Sequence, residues 1–318
     1  MNKQKEYQIS DQWVLSLRGK KNPVSDLKPY AFTVEKERTA TGKIEDVATL
    51  FLTNRECPFR CLMCDLWKNT TDQPVAEGAI PKQIALALEQ LPSTKHIKLY
   101  NSGSFFDRKA IPPADYTAIA DLMNQREFET IIIESHPAFI NDEALKFRDM
   151  LKGRLEIAIG LETAHPEVLK KLNKKMDLCD FEQAVNLLKI NKIAVRAFIL
   201  LRPPYLSEEE GLTWAKRSLD FAFSVGVECC VVIPTRAGNG AVDYLQHRGD
   251  FTPPSVRSLE AVLKYGILEQ KGRIFADLWD LEIFSSCEKC FPYRKERLNM
   301  MNLHQKYFPP VRCNCTEK

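Results

Sequence analysis

The sequence predicts an α/β protein built as a partial or full parallel βα barrel, and three observations carry that expectation. Short, nearly continuous apolar runs recur along the chain; longer amphipathic stretches separate them; and unusual polar residues collect just after the apolar runs. The runs are VATLFLT (47–53), HIKLY (96–100), TIIIES (130–135), LEIAIGLE (155–162), VRAFILL (195–201) and ECCVVIP (228–234). Short apolar runs bounded by polar or turn residues are how strands read when helices cover both faces.

The intervening patterns predict helices over 81–91, 113–125, 141–151, 180–191, 207–224 and 256–270. Pro81 suits a first helical turn, as does Pro113 with Asp115, and Ser207 followed by three glutamates places a cap and acids at a helix start. Repeated βα units require parallel strands joined by right-handed crossovers, and six in series suggest a barrel. In such barrels the chemistry sits on the loops after the strands. Three regions follow: an extension of mixed structure over 1–46, the barrel over 47–280, and a cysteine-bearing tail over 281–318.

At 318 residues, 44% hydrophobic and 27% charged, the chain has the composition of an ordinary globular protein. Its first residues, MNKQKEYQIS, lack the apolar core of a signal peptide, and no run approaches the roughly 18–20 apolar residues of a membrane span. The expectation is a cytoplasmic protein with no membrane partner. A net charge of +3 is too small to argue for nucleic acid. The basic stretch Arg18–Lys28 reads as a solvated segment.

Ten cysteines in a reducing compartment point to metal or catalysis more than to disulfides. Seven fall into two groups. Cys179, Cys229 and Cys230 are left over and read as small buried hydrophobes. The first group, Cys57, Cys61 and Cys64, follows the first apolar run directly, on a loop at the catalytic end. A four-iron cube takes thiolate ligands on its irons. Three closely spaced cysteines leave one iron open, whereas structural zinc wants four ligands. The expected cofactor is a [4Fe–4S] cluster.

This C-x3-C-x2-C loop after the first strand of a βα barrel resembles the radical-SAM superfamily. The resemblance implies that S-adenosyl-L-methionine chelates the open iron through its amino and carboxylate groups. It also implies reductive cleavage to a 5′-deoxyadenosyl radical that abstracts hydrogen from substrate, with a one-electron reductant protein as partner. Met63 stands where an aromatic residue is usual, and its thioether suits packing against adenine. Asn101, Ser102, Gly103 and Ser104 follow the second run, where the family places a glycine-containing turn against the methionine amino group. Glu134 and Glu162 end the third and fourth runs, positioned for the cofactor's ribose hydroxyls or ammonium. Arg196, inside the fifth run, matches an arginine that methylthiotransferase-type members aim at the methionine carboxylate.

The segments YNSGSFFD (100–107), IIIESHP (131–137), LEIAIGLET (155–163) and FILLRPPYLSEEEG (198–211) further resemble the radical-SAM subunit of archaeosine synthase and its bacterial relatives, over about residues 45–225. That likeness implies a lysine-modified deazaguanine in tRNA as substrate, with a C–N bond broken to leave the amidine, and a partner subunit. Beyond it, Arg236, Asn239, Asp277 and Asp280 lie where a barrel meets its substrate and are candidate contacts. A small-molecule biosynthetic enzyme inserting sulfur, and a non-catalytic zinc-binding interaction protein, are the alternatives.

The second group, Cys287, Cys290, Cys313 and Cys315, forms C-x2-C followed by C-x-C. It reads as an auxiliary iron–sulfur cluster, a second [4Fe–4S], because C-x-C is tight for a zinc ribbon; four-thiolate zinc is the other reading. The histidines at 96, 136, 165, 247 and 304 show no ligand spacing, and His136 reads as a hydrogen-bonded structural residue.

Overall fold

The computed structural model describes residues 8–315, and its framework is one eight-stranded sheet. After the short helix α1 (Asp11–Ser16), strands β1 (Ala31–Arg38) and β2 (Ile44–Phe51) form an antiparallel hairpin. The βα alternation follows: α2 (Ala79–Gln90), β3 (His96–Tyr100), α3 (Asp115–Gln125), β4 (Thr130–Glu134), α4 (Asp142–Met150) and β5 (Arg154–Glu162). Two helices, α5 (Pro166–Lys171) and α6 (Leu178–Ile190), precede β6 (Ala194–Leu201). The chain continues with α7 (Glu208–Val225), β7 (Cys229–Pro234), α8 (Ala241–Arg248), α9 (Val256–Glu269), β8 (Arg273–Ala276) and α10 (Phe291–His304).

From β2 to β8 every pairing is parallel and the strands lie in chain order. The sheet curls. Arg196 on β6 reaches Glu37 on β1 at 2.6 Å, and the Arg273 guanidinium on β8 donates to the Arg38 carbonyl on β1 at 3.4 Å. Strands so far apart in the order meet only when a sheet folds towards closure, as in a partial barrel. Both faces of β5 and β6 are buried, which is why their sequences read as unbroken apolar runs.

Helix starts obey local chemistry. Ser207 and Glu210 form a reciprocal capping box at α7, and Asp177 and Asp180 do the same at α6. The outer edge of β8 is covered by side chains of α10. The Asn302 amide pairs with the backbone N–H and C=O of Ala276, and the Gln305 amide does so with Ile274. Two side-chain amides thus stand in for a ninth strand and satisfy an otherwise open edge.

Three expectations are corrected here. The extension over 1–46 contributes β1 to the sheet, so a boundary at 46 would cut a hairpin. The basic stretch from Arg18 is not simply solvated: Arg18 and Lys21 both pair with Glu56, at 2.6 and 2.9 Å. Cys229 and Cys230 are buried as expected, but Cys179 is exposed. Among the described residues no helix is long and apolar enough to cross a membrane.

Candidate active site

The loop after β2 carries Cys57, Cys61 and Cys64, and distant parts of the chain pin it in place. Glu56 is held by Arg18, Lys21 and Arg60. The Leu62 N–H donates to the Leu172 carbonyl at 2.8 Å, and the Asn173 amide donates to the Arg60 carbonyl at 2.8 Å. The Asn239 amide donates to the carbonyls of Leu62 and Cys64, at 2.8 and 3.2 Å, while its oxygen accepts from the Val242 N–H. A loop without regular structure becomes rigid when its carbonyls are tied to helix ends in this way.

Burial pushes each of the three thiols up to about 12. Held as thiolates, they need positive charge beside them. Lys174 supplies some: its ammonium lies 2.6 Å from Glu162, and its charge acts on Cys61 and Cys57. Burial would lower the Lys174 pKa, but Glu162 and Cys61 outweigh it and the lysine stays protonated. The pairing register between β5 and β6 shifts between Gly160 and Glu162, and Glu162 sits at φ +65°. The irregularity turns its carboxylate towards Lys174. A side chain at Gly160 would run into that ion pair and displace the ends of both side chains.

Opposite the loop, the turn after β3 presents Asn101, Ser102, Gly103 and Ser104. A Cβ added at Gly103 would lie 3.3 Å from the Cys57 Cβ, so turn and cysteine loop are in close contact. The Glu134 carboxylate, at the end of β4, accepts from the backbone N–H of Asn101 at 2.7 Å and of Gly103 at 3.4 Å. Burial raises its pKa to about 7 despite those donors. The Tyr30 hydroxyl reaches Ser102 Oγ at 3.0 Å, and Ser104 Oγ accepts from the His136 N–H at 3.0 Å. The Asn101 side chain is fully buried, yet neither its Oδ1 nor its Nδ2 has a partner among the described residues. A buried amide with both ends unsatisfied is costly unless a ligand completes it.

His136 is structural, as expected. Its Nδ1 accepts from the Ala138 N–H, its Nε2 meets the Lys174 carbonyl, and Phe59 of the cysteine loop stacks on its ring at 3.8 Å. Burial and the Lys174 charge hold its pKa down at about 3, so it stays neutral.

Two placements differ from those expected. Arg196 occupies the third position of β6, 2% exposed, paired to Glu156 and Glu37 at 2.6 Å each. Those carboxylates meet the need for compensation that its burial creates, and it is committed inside the barrel rather than to a cofactor. Asn239 is buried, its amide nitrogen used by the cysteine loop and its oxygen by the start of α8 rather than facing substrate. The remaining candidate contacts do come together: Arg236 binds Asp277 at 2.9 Å and Asp280 at 3.3 Å, beyond the ends of β7 and β8. Burial raises the pKa of Asp277, and its backbone bond from Trp279 and the Arg236 charge only partly offset that. Met63 packs with Leu62 in a cluster of apolar side chains that includes Val168 and Leu172.

At the tail, Cys287, Cys290, Cys313 and Cys315 converge, with all four sulfurs within 4.8 Å of one another. All ten cysteines are thiols without disulfides. Sequence reasoning missed Lys174 and Tyr30: neither lies in a motif, and only the fold brings them to the site.

No protein-family model matches the chain. Among solved structures it is similar to methylornithine synthase (PylB), with a TM-score of 0.50 at 15% identity over 70% of this chain and 63% of that one. It is also similar to coproporphyrinogen III oxidase (HemN) of Escherichia coli, described as a radical-SAM enzyme, with a TM-score of 0.46 at 16% identity over 83% of this chain and 57% of that one. The chain resembles radical-SAM enzymes, and its own three-cysteine loop follows the first parallel strand of a curled sheet.

Particular relatives sharpen the likeness. The chain is 25% identical over 215 residues to archaeosine synthase subunit beta of Methanosarcina acetivorans (64% of this chain, 61% of that one). It is 30% identical over 166 residues to the subunit of the same name from Thermococcus kodakarensis, 50% of this chain and 51% of that one. An uncharacterized protein of Methanocaldococcus jannaschii is 25% identical over 260 residues, 77% of this chain and 71% of that one. The matches to the archaeosine subunits therefore take in about half to three-fifths of those relatives' lengths.

Proposed function

We propose that the protein is a radical-SAM enzyme whose working centre lies between the cysteine loop and the turn 101–104. The observation that carries this reading is Asn101, a buried amide without partners among the described residues, on a turn that lies against Cys57. The donor set fits a [4Fe–4S] cluster, since Cys57, Cys61 and Cys64 offer three sulfurs and leave one iron open. When bound, that cluster and S-adenosyl-L-methionine supply one-electron cleavage to a carbon radical able to take hydrogen from substrate.

The protein's own residues do the rest. Asn101 and the 101–104 backbone bind and orient the methionine end of S-adenosyl-L-methionine, and Gly103 allows the turn to approach closely. Glu134 fixes that turn from below. Glu162 and Lys174 set the charge beside Cys61, and Met63 lies on the cysteine loop where it can meet adenine. Arg236, Asp277 and Asp280 present both signs of charge where a substrate would enter. The names of its relatives support a deazaguanine-type base in tRNA as substrate, handled with a partner subunit and a one-electron reductant protein. The test is anaerobic reconstitution followed by reduction in the presence of S-adenosyl-L-methionine and tRNA: 5′-deoxyadenosine and a modified base are expected. Salt-sensitive binding of tRNA, alone or with a partner subunit, separates this reading from a small-molecule substrate.

A further inference from the structure

We propose that the four-cysteine tail is a closed, mononuclear zinc site rather than an auxiliary iron–sulfur cluster. The reading rests on the spacing of the sulfurs and is independent of the function proposed for the cysteine loop. Cys287 Sγ lies 4.0 Å from Cys313 Sγ, and Cys290 Sγ lies 3.7 Å from Cys315 Sγ. All four sulfurs fall within 4.8 Å of one another. A tetrahedral zinc with bonds of about 2.3 Å places its thiolates about 3.8 Å apart, the edge of the tetrahedron. In a four-iron cube each thiolate points outward from a different iron, so the sulfurs stand roughly 6 Å apart or more. The tail sulfurs enclose room for one ion and no cube.

The tight C-x-C spacing, which argues against zinc in the sequence alone, is resolved by the way the ligands interleave. Cys313 lies beside Cys287 and Cys315 beside Cys290, so neighbouring ligands of the C-x-C approach the ion from different sides of the C-x2-C. Zinc is favoured over ferrous iron at one thiolate set by the ordinary order of divalent affinities. With four protein sulfurs there is no open position for a substrate, so the site is structural.

Its mechanical role follows from what it joins. Cys290 immediately precedes α10 and is 2% exposed. The far end of α10 supplies Asn302 and Gln305 to the edge of β8. The returning chain lies along the helix, with the carbonyls of Phe308 and Pro309 accepting from Arg297 at 2.8 to 2.9 Å. The ion ties both ends of this segment together and holds the helix that covers the sheet edge.

The test is elemental analysis of anaerobically purified, iron-reconstituted full chain. The expected content is about one zinc and about four irons per chain; about eight irons without zinc, or a single extra iron in place of zinc, would overturn the proposal. Replacing Cys313→Ser with Cys315→Ser should abolish the zinc and leave the iron unchanged, whereas loss of half the iron with zinc retained overturns it. Should those variants fail to fold, cobalt exchanged into the unaltered tail gives the answer: intense tetrahedral thiolate–cobalt absorption is expected, and a weak octahedral spectrum contradicts it.

Discussion

Lys174 and Glu162 form a buried ion pair at 2.6 Å, and the lysine's charge is felt by two of the three cysteines of the neighbouring loop. Neither residue lies near those cysteines in sequence. The pair is brought there by the irregular end of β5 and the connection after α5. Removing one member of such a pair leaves the other charge stranded without water. Lys174→Met should therefore destabilise the protein by roughly 3–5 kcal/mol, and adding Glu162→Gln should recover most of the loss. Denaturant unfolding of both single variants and the double variant measures this. Additive losses would mean that the two groups do not interact.

Glu134 introduces a pH dependence of known sign. Its folded pKa is raised to about 7 from 4.5. A raised carboxyl contributes stability that is fully present below the unfolded value and lost as pH climbs through the folded value. The window is therefore between pH 4.5 and about pH 7, and the loss amounts to at most about 3 kcal/mol. Glu134→Gln, a neutral side chain of the same shape, should flatten that part of the stability profile. Unfolding free energies of the two proteins across this window decide it; parallel profiles would show that Glu134 is not the source.

Arg196 is committed to Glu37 and Glu156 deep in the barrel, and Glu156 also binds Arg273 at 2.9 Å. Arg196→Met leaves Glu156 with Arg273 alone and Glu37 with Lys98 alone, two carboxylates deep in the barrel that each lose a partner, and should cost about 3 kcal/mol in stability. Affinity for S-adenosyl-L-methionine, measured calorimetrically on the folded fraction at low temperature, should stay within about twofold of the unaltered protein, under 0.5 kcal/mol. A large loss of affinity with little loss of stability would return Arg196 to the cofactor.

Asn239 holds the cysteine loop by two donated hydrogen bonds and accepts a third from α8. Asn239→Ala leaves the Leu62 carbonyl and the Val242 N–H unpaired in buried surroundings, at about 1–3 kcal/mol. Iron retained per chain after reconstitution and desalting should fall, with tail zinc unaffected. Full iron retention would show that the loop does not depend on this amide.

The sequence made the parallel framework legible because β2 to β7 are covered on both faces and their side chains report that burial directly. β1 was not legible. Its sequence, AFTVEKER, runs from a mostly apolar half into four consecutive charged residues, and one of the charges, Glu37, points inward to meet Arg196 and Lys98. A strand whose interior face carries a paired carboxylate does not read as half-buried. β8 is four residues long, too short for its pattern to be separated from the preceding helix. The three site cysteines announce themselves by spacing. Lys174 sits in an ordinary lysine-rich turn, and Arg196 drew attention for a true reason, a charge within an apolar strand, although its partners lay in segments that the pattern could not bring together.

The chemistry that Cys57, Cys61 and Cys64 enable is read from the products. Anaerobically reconstituted protein, reduced in the presence of S-adenosyl-L-methionine, should release 5′-deoxyadenosine and methionine. Replacing Cys57, Cys61 and Cys64 by alanine should abolish that release while leaving the tail metal bound. Intact iron loading with no 5′-deoxyadenosine above the level of the cysteine variant would contradict the assignment of this loop as the reactive centre.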